Sequence, residues 1–539
     1  MDIPYFNYSN ILNETLLDND TLEPPIPNNI SSDLEGDIAS KYKENYISDL
    51  IFVTGLAVMF HIGYKTVYKL GSISFKLIAD NFIINYYKNK NIRELTNKLK
   101  KDFIHPNTDR VFELSDMNQD FESIHQRHQE YLGKRDTNSI LVHKDTSEFD
   151  EKFEKLENDL KHTNNLCPIR WADIVMMEND IVNIAKSLYN CPDNCNGNLV
   201  TSINEANLGV CMIYLRNKPR HKQYEIIVAA TVHPSFYYIA HILNIKLVHV
   251  NIDNYSGKLL VKKVTKYINS NTLFIIASAP SSSYGIIDNI AQLSELALSK
   301  EIGLHIDCVS DNFLLPFLKM NGKIIPDYDF ILDGVTSLST NLSIEKSRDK
   351  NLCCVLYRSC YITSHPQLTV HNKIYGIYPF HSFSQSIPGN IICYYWYYLQ
   401  YNGIRKLTEK SNHIIHLKNT LIKELIPIKN VSLIGEPFLS KIAIKFITGD
   451  IYHIYEHLIN NGWIIDVLNN PSAISISIPD NFKDESDIYR FTENIENIDY
   501  MKKNVNTTKM SIFGIKKIIK NVNQNVLLGE IFLNIKRLI

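Results

Sequence analysis

Short apolar runs, set apart by roughly ten to twenty mixed residues, mark the middle of the chain. Glu225-Ile-Ile-Val-Ala-Ala230, Lys246-Leu-Val-His-Val250, Thr272-Leu-Phe-Ile-Ile-Ala-Ser278 and Leu304-His-Ile-Asp307 have the length and β-branched content of strands. The stretch Pro234 to Leu243 between the first two reads as a helix. Apolar strands alternating with helical connections predict an α/β domain with a largely parallel sheet over residues 166–395. Cys353-Cys-Val-Leu-Tyr357 is a further strand-like run.

Residues 396–539 change character. A long helical pattern from Ile392 to Lys423 leads into strand-like pieces at Val431–Ile434, Ile442–Ile447 and Ala473–Ile478, then an amphipathic helix from Phe513 to Leu538. This predicts a smaller α+β domain. Upstream, residues 67–165 form a basic linker and a helical segment, with Glu148 to Leu160 helix-prone.

The N-terminus has its own pattern. Residues 1–45 read as a flexible acidic tail: the first 40 hold eight acids and no Lys or Arg, and Pro24-Pro25-Ile26-Pro27 interrupts any element. Residues 46–66 are read as a membrane-anchor helix around the uncharged run Leu50 to Tyr64, although a buried or interfacial helix is the competing reading for so short a run. Nine basic residues against two acids from Lys65 to Lys101 place the tail in the lumen and the bulk of the chain in the cytosol. Four sequons, at Asn7, Asn13, Asn19 and Asn29, lie in that tail.

Composition narrows the function classes. The 539 residues carry a net charge of −2, so bulk electrostatics point to no nucleic-acid partner. Nine scattered Cys in so long a chain argue for a reducing compartment and against a disulfide scaffold. Cys191 and Cys195 have a zinc-like spacing but no second Cys/His pair follows nearby, so no metal site is expected.

The motifs at the strand ends are more telling. Leu304-His-Ile-Asp307 is followed by Phe313-Leu-Leu-Pro-Phe317, and Asp329-Phe330 leads into Gly334-Val-Thr-Ser-Leu-Ser339. Upstream lie Ser278-Ala-Pro280 with Tyr284-Gly-Ile-Ile-Asp288, Thr231-Val-His233-Pro-Ser-Phe236 and Asn164-Asn-Leu-Cys-Pro168. Downstream lie Gly462-Trp463, Asn470-Pro471-Ser472 and Ser511-Ile-Phe-Gly514. In this order and spacing the chain resembles the sphingosine-1-phosphate lyase family, fold-type-I pyridoxal-phosphate enzymes of the group II decarboxylase superfamily, from about residue 100 onward. The resemblance implies a fold-type-I large domain, pyridoxal 5′-phosphate as cofactor and a phosphorylated long-chain base as substrate. It also implies an endoplasmic reticulum membrane location and a dimer, either of like chains or with an active homologue. Asp307 is the implied carboxylate beside the pyridine nitrogen, and His233 the implied imidazole over the ring. Thr201, Ser202 and Ser343 are the further implied cofactor contacts.

Three departures set the chain apart. Where the family run continues S-x-D-T-H-K, this chain reads Ser339-Thr-Asn341-Leu-Ser343-Ile344, so Ile344 stands at the Schiff-base lysine and Ser343 at the preceding His. An alkyl side chain neither forms an imine nor carries a proton. Lys346, two residues on, is the candidate displaced substitute. The family's glycine-rich phosphate cup T-S-G-G-T-E becomes Thr201-Ser202-Ile-Asn-Glu205, and S-R-P-G becomes Ser386-Ile387-Pro-Gly389. The expectation is a lyase-like protein of sphingolipid catabolism that is inactive or strongly impaired. An active divergent lyase using Lys346 and a soluble pyridoxal-phosphate amino-acid decarboxylase are the alternatives.

Overall fold

The computed structural model describes residues 148–501 apart from short gaps at 167–168, 217, 220–221, 254, 309–311, 343–350, 359–367, 373–375, 381–382, 385 and 470, together with residues 122 and 125–126. The tail, the apolar run at 50–64, the helix expected at 513–538, and Ser343, Ile344 and Lys346 lie outside the described residues. All the described residues fall in one compact unit, Lys101–Lys520. No helix among them is long and apolar enough to cross a membrane.

In chain order the elements begin with α1 (Glu148–Leu160), α2 (Ala172–Leu188), β1 (Cys195–Val200), α3 (Ile203–Leu215), β2 (Glu225–Ala229), α4 (Ser235–Ile242), β3 (Lys246–Val250) and α5 (Val261–Tyr267). They continue with β4 (Thr272–Ser278), α6 (Ile290–Lys300), β5 (Gly303–Cys308), α7 (Leu315–Met320), β6 (Ser337–Asn341), β7 (Cys353–Arg358) and a hairpin of β8 (Leu368–Asn372) and β9 (Gly376–Phe380). The last part holds α8 (Gly389–Leu425), β10 (Val431–Leu433), β11 (Lys441–Phe446), α9 (Ile451–Asn460), β12 (Ile465–Asn469), β13 (Ser472–Ser477), α10 (Ile478–Asn481) and α11 (Glu485–Glu496).

The main sheet has seven strands in the order β1-β7-β6-β5-β4-β2-β3. Neighbours from β3 through β6 pair in parallel, and β7 is antiparallel to both β6 and β1, so only β7 runs against the rest. β2 and β5 are buried along their whole length, as expected for strands covered on both faces. α3 and α4 cover one face, where Val210, Phe236, Ile239, Phe274 and Val355 pack together. α2, α6 and α8 cover the other, around Ile181, Leu293, Leu304, Leu356 and Ile392.

The helices that complete the layers follow simple local rules. α11 buries Ile488, Phe491, Thr492 and Ile495, the i, i+3, i+4, i+7 stripe of a half-buried helix, and Asp484 caps it by accepting from the Ser486 N–H. α8 is interrupted at Gly403, whose φ of 57° suits glycine. It packs against α1, α2, α7 and α11. A second sheet, β10-β11-β13-β12, is antiparallel throughout.

Two strands of the main sheet carry no apolar signature. β1 reads Cys-Asn-Gly-Asn-Leu-Val and β6 reads Ser-Leu-Ser-Thr-Asn, and neither stands out in the sequence as a strand.

Candidate functional site

Six of the seven main-sheet strands end on the same side, which brings the motif residues to one edge. Thr201 and Ser202 follow β1, His233 follows β2, Ser278-Ala-Pro280 closes β4, Asp307 lies near the end of β5, and Ser339 near the end of β6. Parallel α/β sheets bind ligands at this carboxyl edge, where helix N-termini also gather.

Asp307 is buried and sits in register between Ser278 on β4 and Ser339 on β6. His305, two residues earlier on the same face, has ring contacts with Phe236 of α4 and Phe274 of β4. Asp307 therefore projects toward the face that α3 and α4 cover, the same side on which Ser202 caps α3 and His233 precedes α4. Its backbone carbonyl accepts from the Ala279 N–H at 3.0 Å, tying the β5 end to the Ser-Ala-Pro loop.

That loop is braced from below. Asp288 is fully buried and accepts from the Leu259 N–H at 2.7 Å and the Ser278 N–H at 2.9 Å. Burial pushes its carboxyl up to about 6 against the pull of those two donors. Gly285, in the same motif, has φ +71°, and a Cβ there would run into the Lys441 backbone carbonyl of β11. The glycine thus allows the loop to touch the second sheet, and its own carbonyl accepts from the Phe438 N–H, in the connection before β11, at 2.9 Å.

Ser202 caps α3, its Oγ accepting from the Glu205 N–H at 3.2 Å. Ile203 and Asn204 occupy the first helical turn, where backbone N–H groups have no intrahelical partner. The Glu205 carboxylate turns back on this turn. Oε2 accepts from the Thr201 N–H at 3.1 Å and the Thr201 hydroxyl at 2.9 Å, and Oε1 accepts from the Ser384 N–H at 2.8 Å and the Ser384 hydroxyl at 2.9 Å. Burial works against this carboxylate, yet the four donors together hold it below its ordinary range. The sequence retains Thr, Ser and Glu here, but the use of Glu205 as a clamp on Ser384, 179 residues away, is visible only in three dimensions.

The hydroxyls of Gly334-Val-Thr-Ser-Leu-Ser339 are spent on a buried network. Ser337 Oγ is 2.9 Å from His305 Nδ1, and Ser339 Oγ is 3.2 Å from His305 Nε2. The Tyr214 hydroxyl of α3 reaches Ser337 Oγ at 2.9 Å and also bonds Thr336. Burial pushes the His305 imidazole down to about 3, so it is neutral. Sequence reading passes over His305, because a lone His in an apolar run has no signal of its own. Asn165 ties its own motif to Ser386-Ile387-Pro-Gly389 and to α2: its Oδ1 accepts from the Ile387 N–H at 2.8 Å, and its amide donates to Glu178 at 2.9 Å.

No family model matches the chain. The rice sphingosine-1-phosphate lyase is 26% identical over 367 residues, 67% of this chain and 68% of that protein. The chain is similar in sequence to the sphingosine-1-phosphate lyases. It spans between about half and two thirds of the length of the curated lyases that it matches. Among solved structures, the Burkholderia pseudomallei sphingosine-1-phosphate lyase superposes with a TM-score of 0.66 at 20% identity, covering 73% of this chain and 94% of that one. The Oryza sativa TDC solved with PLP and tryptamine gives 0.62 at 10% identity, covering 78% and 96%. At these identities the two structures establish the α/β fold of the chain, and nothing finer.

Among the described residues no cluster of three or more His, Cys, Asp or Glu forms a metal cage. Cys191 and Cys195 lie with their Sγ atoms 3.0 Å apart. Cys308, Cys353 and Cys354 are buried in strands.

Proposed function

We propose that this lyase homologue holds pyridoxal phosphate at the carboxyl edge of the main sheet and has lost, or nearly lost, cleavage of phosphorylated long-chain bases. The observation that carries the reading is Ile344 at the position of the family lysine. The flanks of that position support the alignment. β6 and β7 pair in register from Ser337↔Tyr357 to Asn341↔Cys353, and the Leu342 N–H donates to the Leu352 carbonyl at 2.9 Å. The connection that contains Ile344 and Lys346 therefore starts and ends on a paired ladder.

The donor set suits the cofactor. The first turn of α3 offers backbone N–H groups and a Ser202 cap to a phosphate. Asp307 is a buried carboxylate suited to a protonated pyridine nitrogen. His233 stands at the start of α4 as the imidazole for the ring face. When bound, pyridoxal phosphate supplies an electron sink that stabilises charge developing on a substrate carbon. This chain's own residues bind and orient it. The covalent attachment and the proton transfers that a lysine performs have no counterpart at Ile344. Losing such a group costs several orders of magnitude in rate.

The same reading places the apolar run at 50–64 in the endoplasmic reticulum membrane as a single pass, with the bulk cytosolic. It pairs the chain with a second copy or with an active homologue. The test is a titration of the purified full chain with pyridoxal phosphate. We expect saturable, dialysable binding and no adduct after borohydride reduction. Turnover of a phosphorylated long-chain base to aldehyde should fall at least about a thousandfold below an active lyase. A reduced adduct mapped to Lys346, with turnover, overturns the inactive reading in favour of a displaced lysine.

A further inference from the structure

The surroundings of His233 specify its tautomer. Nδ1 lies 2.8 Å from Ser235 Oγ and accepts from the Ser235 backbone N–H at 3.3 Å. A backbone N–H only donates, so Nδ1 is the unprotonated nitrogen. The Ser235 hydroxyl must then also donate to Nδ1, which leaves its oxygen free to accept. The Asn207 side-chain amide of α3 supplies that donor, with Nδ2 at 2.8 Å from Ser235 Oγ. Every hydrogen in the row Asn207–Ser235–His233 thus points the same way. The reversed amide fails: an Asn207 oxygen facing Ser235 would draw the hydroxyl proton away from Nδ1 and leave two acceptors facing each other.

Three features hold the row in place. Asn207 is fully enclosed and Ser235 is buried, so water does not compete. Ser235 opens α4, so Nδ1 faces a helix N-terminus whose partial positive charge disfavours a cationic ring. Burial also draws the His233 imidazole below its ordinary range.

We propose that Asn207 and Ser235 are positioning residues that lock His233 as the neutral tautomer protonated on Nε2, so that the ring offers a donor to an acceptor oxygen of the bound ligand. This rests on the reading of His233 as a cofactor-side residue. It adds that the imidazole serves there as a fixed, uncharged donor, and as neither an acceptor nor a cation. Ser235 and Asn207 do this without touching the ligand.

The test reads the ring nitrogens directly. The full chain in detergent, with 15N-labelled histidine, is recorded near neutral pH by long-range proton–nitrogen correlation, and His233 is assigned by its disappearance in His233→Gln. Wild type should show Nδ1 as the bare nitrogen and Nε2 as the protonated one. Ser235→Ala keeps the backbone N–H of α4 but removes the hydroxyl. It should lower the ratio of the two tautomers about fivefold, the size expected of one ordinary hydrogen bond, and Ser235→Thr should restore it. Asn207→Leu should move the ratio in the same direction by less.

A wild-type ring protonated on Nδ1, or a ratio unmoved by Ser235→Ala, overturns the proposal. The wild-type spectrum, assigned through His233→Gln, decides even if Ser235→Ala or Asn207→Leu does not fold. Pyridoxal phosphate binding is measured separately on the same samples. Absent binding with the expected tautomer sinks the cofactor reading and leaves the relay standing. Binding with the wrong tautomer does the reverse.

Discussion

Replacing Glu205 with Gln perturbs the clamp that joins the start of α3 to Ser384. The carboxylate accepts from two backbone N–H groups and two hydroxyls, at 2.8 to 3.1 Å. Glutamine fits the same space but offers one oxygen and one NH2. Whichever way the amide turns, its NH2 opposes either the Thr201 or the Ser384 backbone N–H. The hydroxyl on that side can rotate to accept, but the N–H cannot. One shielded N–H left without an acceptor costs about 1–3 kcal/mol. The bonds that survive lose charge assistance, about a further 1 kcal/mol in all. The sum is about 2–4 kcal/mol at neutral pH. The sign with pH follows from the depressed carboxyl of Glu205, whose ordinary value is 4.5. The stabilisation is fully present above 4.5 and is lost as pH falls through the lower folded value, so the gap between wild type and variant should close in acid. Thermal melting of the two proteins at pH 7 and below pH 4 measures this. Hydrogen exchange of peptides holding Thr201 and Ser384 locates it. Equal melting at neutral pH, with unchanged exchange at Ser384, refutes the clamp.

Three further predictions concern the scaffold. His305 is neutral in the fold and pushed down to about 3, while the unfolded chain protonates it near 6.5. Stability should therefore be complete above 6.5 and fall with acid, by about 2 kcal/mol at pH 5. The urea midpoint of His305→Gln should depend less on pH than that of wild type, and an identical pH dependence rejects the assignment. A Cβ at Gly334 would run into the Ser294 carbonyl and hydroxyl, so Gly334→Ala should destabilise by about 1–3 kcal/mol in a melting experiment. Gly209→Ala, in α3 with open space around it, should instead stabilise by about 0.5–1 kcal/mol.

Much of the fold can be read from the apolar runs, because parallel strands covered on both faces must be apolar on both. β2, β3, β4 and β5 fall where those runs lie, and β10, β11 and β13 lie within a residue of the pieces read from the sequence, whereas β12 (Ile465–Asn469) is not among those pieces. β1 and β6 cannot be read this way. β6 buries Ser337, Ser339 and Thr340, and their burial is made tolerable by His305, Tyr214 and Tyr189, partners more than thirty residues away in the chain. The site shows the same divide. Asp307 and His233 stand out through their flanking motifs, whereas His305, Asn207, Ser235 and Ser384 gain their roles only from what faces them.

The sequence alone determines that position 344 offers a hydrocarbon and not an amine, since a side chain's chemistry is set by its covalent structure. It also determines the strands whose every face is apolar. Tertiary structure decides which polar groups meet. A carboxylate, an imidazole or a hydroxyl can donate, accept or stay charged in several ways, and only a partner held within hydrogen-bond distance selects one. That is why Glu205 closes on Thr201 and Ser384, and why Ser235 sets the proton of His233.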